Sequence, residues 1–191
     1  MARKGDGGRR QRQRRQQVQY EELDKYPVMP PHAFARIVRD LRTLNIIYQV
    51  IEPPLTKKEE EVRSEIMDIF IQALTADIEE IDANPELYLR AAMDQIIKSY
   101  RLKVNKKSRS KIFYYLKRDL IGYGRMDVLM NDANVEDVSL DGTNIPIFAY
   151  HRKFESVETT IAWPDDVELE SYVIKLAQRC GKHISVAEPL L

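Results

Sequence analysis

An α+β chain is predicted by three features of this sequence, with a helical bundle first and then a small antiparallel sheet covered by a C-terminal helix. The first is a long apolar stripe that opens at a Thr56/Glu59 pair with capping-box spacing and runs through Val62, Ile66, Ile69, Phe70, Ala73, Leu74, Ile78 and Ile81. The second is a change at Val135 from the helical period to the alternation of strands. The third is a closing stripe, Leu169, Tyr172, Val173, Leu176, Ala177 and Cys180, ended by Gly181, which can take the left-handed C′ conformation of a helix terminus. These divide the chain into a basic tail (1–17), a linker with a helix and a strand (18–55), the bundle (56–121) and a small sheet-plus-helix subdomain (122–191).

The tail holds Arg3, Lys4, Arg9, Arg10, Arg12, Arg14 and Arg15 against Asp6 alone, with almost no apolar side chain. It cannot offset the entropy of folding and is expected to be disordered. Arg9, Arg10, Arg12, Arg14 and Arg15 could contact an anionic partner, or the tail could simply be solvated; no aromatic residue precedes Tyr20 to stack on bases, so nucleic acid is not favoured. The whole chain balances 30 basic against 30 acidic residues, which excludes an overall field steering it to polyanions.

After the linker prolines Pro27, Pro30 and Pro31, the positions Phe34, Ile37, Val38, Leu41 and Leu44 fit one helical face, with Pro31 in its first turn. Asn45–Ile51 reads as a strand stopped by Pro53 and Pro54. Three helices then follow. The first starts at Thr56, the second after Asn84-Pro85, and the third carries Ile112, Leu116 and Leu120. Lys103, Lys106, Lys107, Arg109 and Lys111 form a basic connection between the second and third, either a solvated loop or a site for an acidic partner. Gly122-Tyr123-Gly124 lets the chain turn from bundle to sheet. Strands are expected at Val135–Leu140, Ile145–Tyr150 and Ser156–Trp163, and Asp165 or Asp166 caps the last helix.

The run from Leu176 to Leu191, together with Tyr48–Leu55, Arg118–Met130 and Val135–Gly142, resembles the N-terminal domain of archaeal type II/IV secretion ATPases, the hexameric motors of pili, archaella and secretion systems. The likeness covers roughly 45–191. It implies a domain that couples the motion of a C-terminal ATPase domain to a polytopic membrane platform protein, at the cytoplasmic face of the membrane and beside neighbouring subunits of a homo-hexamer. ATP and magnesium are implied for such a parent, and no cofactor for this chain. Gly181 and Pro189 would mark the hinge or junction, and Arg179, Lys182 and His183 would lie near the nucleotide; helix C-capping is the other role open to Lys182 and His183. The apolar Leu190-Leu191 end fits a chain that stops short of a motor domain.

Chemistry of its own is not expected. Gly181-Lys182 is the sole Gly-Lys pair, and it lacks the Gly-x-x-x-x-Gly-Lys-[Ser/Thr] pattern whose backbone cradles phosphates. His32, His151 and His183 are far apart and form no zinc helix. Cys180 stands alone on the closing stripe and reads as a small core residue. No apolar run approaches the ~18 residues of a spanning helix.

Overall fold

Three strands precede the first helix in the computed structural model, which describes residues 19–72 and 84–180. β1 (Tyr20–Met29), β2 (Ala33–Asp40) and β3 (Ile46–Ile51) are antiparallel neighbours. They are followed by α1 (Lys57–Gln72), α2 (Pro85–Ser99) and α3 (Lys106–Leu120). A 3₁₀ turn (Gly124–Met126) and a short α4 (Asp127–Met130) lead into β4 (Val135–Ser139), β5 (Phe148–His151), β6 (Glu155–Thr159) and α5 (Asp166–Arg179).

The expected architecture of a bundle first and a small antiparallel sheet second is therefore corrected. All six strands form one mixed sheet in the order β1-β2-β3-β6-β5-β4, closed by parallel pairing of β3 with β6 at Ile47↔Glu158 and Tyr48↔Thr159. The bundle is an insertion in the crossover between those two strands, a connection that parallel pairing makes obligatory.

The helix expected over Phe34–Leu44 is strand β2 as far as Asp40 and a turn beyond it. Ala33, Ala35 and Ile37 alternate with Phe34 and Arg36, so both periods fit a segment this rich in apolar residues, and pairing decides. Its partner β1 is an outer strand, where four charges and Pro27 are tolerated, and for that reason it looked like a linker. Cross-strand pairs Arg36–Glu22 (2.6 Å) and Arg39–Glu21 (2.8 Å) hold it to β2.

One sheet face carries Ala35, Ile37, Tyr48, Ala149 and Val157 into a core completed by Met126, Leu129, Ile147, Ile161 and Trp163. From α5, Leu169 and Tyr172 close it, the Tyr172 ring 4.7 Å from that of Trp163. The bundle has its own core of Ile66, Leu89, Met93, Ile112, Phe113 and Leu116. A third cluster, Ala33, Tyr114 and Val128, joins α3 to the sheet.

The bundle helices start where their side chains can satisfy the first turn. Thr56 N–H donates to the Glu59 carboxylate (2.8 Å) while Glu59 N–H reaches Thr56 Oγ1 (3.3 Å), the reciprocal pair that the spacing suggested. Asn84 and Asn105 accept from Leu87 N–H and Ser108 N–H. Between α3 and α4 the chain reverses at Gly122-Tyr123-Gly124, with Gly124 at φ 56°. The Asp127 carboxylate, buried at 3% exposure, clamps this turn by accepting Tyr123 N–H at 2.8 Å.

Gly122 has a steric reason to lack a side chain, since a Cβ there would come within 2.4 Å of Asp127 Oδ1 and 2.8 Å of the Arg118 carbonyl. Gly122→Ala is expected to cost about 2–3 kcal/mol by displacing the clamp, against about 1 kcal/mol for Gly124→Ala, where only the left-handed backbone is penalised. Urea unfolding of both variants checks the order, and equal midpoints would show the clamp to be dispensable.

Candidate functional site at the junction of sheet and bundle

Strand β3 ends at Ile51, and the next residue, Glu52, is turned back toward α3. Its carboxylate accepts two hydrogen bonds from Arg118 Nη1 (2.8 and 3.0 Å) and one from the Tyr114 hydroxyl (2.6 Å). Pro53 keeps its carbonyl free to accept the Tyr115 hydroxyl at 2.9 Å. Arg118 also donates through Nε to Asp119 Oδ1 (2.7 Å), and its guanidinium lies 4.7 Å from the Tyr115 ring centre. From α1, Arg63 reaches the other Asp119 oxygen at 3.0 Å. One charged cluster thus ties the exit of β3, the first bundle helix and the third.

The Arg118 side chain is only 15% exposed. Burial alone would depress its pKa; the hydrogen bond and charge of Asp119 and the charge of Glu52 outweigh that and leave it raised, so it is a permanent cation. Asp127 behaves oppositely. Burial raises its carboxyl pKa, against the lowering effect of Tyr123 N–H and of Arg118.

Arg118 and Arg125 lie between two open grooves. One, of about 370 Å³, is lined by Val50, Glu52, Thr160, Ile161 and Ala162. The other, of about 450 Å³, runs along α5 past Arg63, Asp119, Trp163, Glu168, Ser171 and Tyr172. Arg125 crosses to Glu168 (2.7 Å), and both side chains are about half exposed (48% each), so this pair is a weak surface latch. Lys175 of α5 donates to the Asp119 carbonyl. The grooves are thus bordered by arginines that already hold carboxylates, an arrangement suited to a joint between elements. A free anion would have to displace an existing partner.

Arg179, expected near a nucleotide, pins the end of α5 onto the α3–α4 turn within this chain. It donates to the Gly122 carbonyl (2.6 Å) and lies 4.3 Å from the Tyr123 ring centre. Lys182, His183, Gly181, Pro189 and the tail residues Arg9, Arg10, Arg12, Arg14 and Arg15 lie outside the described residues. Cys180, expected in the core, is exposed, because the buried stripe of α5 ends at Ala177 and Cys180 is the helix cap. Glu52, Arg118, Asp119 and Arg125 were missed as site residues. Glu52 offered a signal, being the lone charge between Asn45 and Thr56 in a strand that ends at two prolines.

A second polar cluster lies inside the sheet core. Asp132 Oδ2 accepts both the Tyr26 hydroxyl (2.7 Å) and the Tyr48 hydroxyl (2.6 Å), and Asp132 Oδ1 accepts Asn134 N–H (2.9 Å). His151 Nδ1 accepts Lys153 N–H at 3.1 Å, which leaves Nε2 to donate to the Tyr26 oxygen at 2.9 Å. The hydrogen bonds join β1, β3, β5 and the α4–β4 connection. With Tyr48, Asp132 and His151 all buried, the cluster is structural. Among the described residues no group of three or more His, Cys, Asp or Glu is placed to hold a metal ion, and no helix is long and apolar enough to cross a membrane.

No family model matches the chain. It is 40% identical over 145 residues to the uncharacterized protein MJ1288 of Methanocaldococcus jannaschii, an alignment covering 75% of this chain and 58% of that relative. From the same organism, the uncharacterized protein MJ0900 is 34% identical over 91 residues, 48% of this chain and 16% of its own, and MJ0781 is 34% identical over 80 residues, 41% and 10% respectively. The chain therefore spans less than two thirds of each of these relatives.

Arg118→Met takes the cationic partner from Glu52, which keeps the Tyr114 hydroxyl, and one of two from Asp119, which keeps Arg63, and should cost about 2–4 kcal/mol. The double variant Glu52→Gln/Arg118→Met should cost clearly less than the two single changes added together. Additive losses in chemical unfolding would show that the pair does not act as a unit.

Burial lowers the pKa of His151 below 6.5, the Asp132 charge only partly opposing it, and burial does the same for His32. The unfolded chain then binds more protons than the folded one as pH falls through 6.5, so stability declines from about pH 7 toward pH 5. His151→Gln should flatten this slope in urea titrations, with His32 leaving a residue of it. A slope of unchanged steepness would place the proton uptake elsewhere.

Proposed function

We propose that the chain is a non-catalytic coupling domain of an ATP-driven secretion or pilus-type assembly, joined in the working protein to a separate motor domain at the cytoplasmic face of a membrane. The observation that carries this reading is where the related segments occur: in MJ0900 and MJ0781 the matched stretch is 16% and 10% of the relative, so it is one part of a much longer protein. The four sequence blocks that resemble the N-terminal domain of archaeal secretion ATPases support the choice of motor. So does the junction chemistry. A bundle inserted between two paired strands and locked by Glu52, Arg118 and Asp119 suits transmission of a displacement better than turnover.

ATP and magnesium belong, in this reading, to the motor domain. The residues present do not fit them: no phosphate-binding loop exists in the sequence, and the arginines at the grooves are engaged by carboxylates. Arg179 is a positioning residue for α5 here. A stand-alone adaptor that engages such a motor is the second reading, favoured by the match that fills 58% of MJ1288.

The reading is tested by sequencing the source gene past codon 191 and assaying the encoded protein. A continuing frame with a phosphate-binding loop is expected, with ATP hydrolysis by the longer protein and none by the 191-residue chain. Deleting this domain from the longer protein should reduce hydrolysis partly and abolish filament or secretion output. A stop codon at that point would overturn the motor reading in favour of the adaptor.

A further inference from the structure

Among the described residues the sheet is covered by helices on one face. Ala35, Ile37, Tyr48, Ala149 and Val157 point into the core that α4 and α5 close. Side chains alternate along a strand, so Phe148, Tyr150 and Glu158 point away from that core. On β5 this leaves two aromatic rings at the surface: Phe148 is 37% and Tyr150 46% exposed, while Ala149 between them is 2% exposed. Neither ring belongs to one of the apolar clusters.

Carboxylates flank the two rings on both sides. Strand register sets Tyr150 opposite Asp137 of β4 and Phe148 opposite Glu158 of β6. Neither Asp137 nor Glu158 has an ion-pair partner among the described residues. The cations of the nearby β5–β6 turn are engaged, Arg152 by Glu136 at 3.0 Å and Lys153 by Asp24 at 3.1 Å. On the β1–β2 half of the same face Arg36 is held by Glu22 and Gln49, and Lys25 is exposed beside it, so the open negative charge is confined to β4–β6. An exposed ring face bordered by an unpaired carboxylate suits a guanidinium, which stacks on the first and forms a two-point hydrogen-bonded pair with the second.

The chain carries such groups in its own first residues. Between 9 and 15 stand Arg9, Arg10, Arg12, Arg14 and Arg15 and no acid. In an extended backbone Arg10, Arg12 and Arg14 share one side at steps of roughly 6.5–7 Å, and Phe148 and Tyr150 are separated by the same two-residue step. The reach suffices as well. Tyr20 opens β1, and the order β1-β2-β3-β6-β5 puts β5 about 19 Å away along the sheet at ~4.8 Å per strand, whereas the run from Arg9 to Tyr20 spans up to about 36 Å when extended. We propose that the arginine-rich segment 9–15 docks in extended form across the outer face of β5, its guanidinium groups stacked on Phe148 and Tyr150 and paired with Asp137 and Glu158. Attachment at Tyr20 favours this occupant over a free basic peptide, because a short tether sets an effective concentration in the millimolar range. The contact stands on the sheet face and the tail, and it does not rest on the motor reading.

Paramagnetic relaxation in the full 191-residue chain tests it. The lone cysteine, exposed at the end of α5, is removed by Cys180→Ser, and Gln13→Cys carries a nitroxide. At low salt the amides of Val138, Ala149 and Val157 should broaden several times more than those of Leu89 and Ile112 in the bundle core, and the excess should fall as salt rises. Asp137→Lys/Glu158→Lys and Phe148→Ser/Tyr150→Ser should each reduce the excess roughly threefold or more with unchanged circular dichroism. Arg10→Gln/Arg12→Gln/Arg14→Gln changes the tail alone, leaves the sheet as it is, and should reduce the excess as far. The corresponding triple Arg→Lys variant, which keeps the charge but loses the planar stacking group, should fall between that variant and wild type.

Broadening spread evenly over the surface, broadening centred on another element, or an excess indifferent to the tail substitutions would each overturn the contact. So would an excess that appears only when spin-labelled chains are mixed with separate isotope-labelled ones, since the segment would then lie on a second copy. A tail that leaves β5 unbroadened while binding phosphatidylglycerol vesicles or single-stranded polyuridine would overturn it too, because the arginines would then serve an anionic partner outside the chain. None of these results touches the motor reading, which falls only with the gene downstream.

Discussion

The structure depends on holding a guanidinium away from water. Arg118 sits near the end of α3 at the one place where the last residue group of β3, the first bundle helix and the α3–α4 turn come together, and its charge is kept there by Glu52 and Asp119. Desolvation of this group is costly, and its hydrogen bonds to both carboxylates offset the cost only while all three side chains keep their relative positions. The same residues therefore fix geometry as well as contribute stability. Tyr114 and Tyr115 extend the constraint to the Glu52 carboxylate and the Pro53 carbonyl, so the segment after β3 is held to α3.

From that point the rest of the molecule can be followed outward. Below the cluster, the bundle packs on its own apolar core; above it, the sheet closes on α4 and α5. The Gly122 turn must be narrow because Asp127 fills the space where a side chain would sit, and Arg179 then uses the Gly122 carbonyl and Tyr123 ring to anchor the end of α5. Lys175 of α5 donates to the Asp119 carbonyl and Arg118 to the Asp119 carboxylate, so α5 is linked to the end of α3 by direct hydrogen bonds.

The buried Tyr26–Asp132–Tyr48 group with His151 does a different job. It gives the sheet interior one arrangement of donors and acceptors that is fully paired only when β1, β3 and β5 are in register. An apolar core would tolerate a slip that this polar one penalises, because any misaligned hydroxyl or carboxylate would be buried without a partner. Outer strand β1 packs Leu23, Tyr26 and Val28 against the core, and the Tyr26 hydroxyl adds its bond to Asp132.

Local rules were enough for the elements whose signal is local. The Thr56/Glu59 pair, the Asn84 cap, the Asp165 cap and the Leu169, Tyr172 and Ala177 part of the α5 stripe were legible because each is decided locally. Strand β2 and the mixed sheet were not, since Phe34, Ile37, Val38 and Leu41 satisfy a helical period and it is pairing with β1 on one side and β3 on the other that makes Ala33–Asp40 a strand. The candidate site was legible in one residue, Glu52, and illegible in its partners: that Arg118 meets it across 66 positions is set by how the bundle inserts between β3 and β6. Sequence by itself determined caps, turns and the missing phosphate loop, which depend on neighbouring residues or on their identity alone. Strand order and the buried ion cluster were decided by tertiary structure, because pairing and burial depend on residues far apart in the chain.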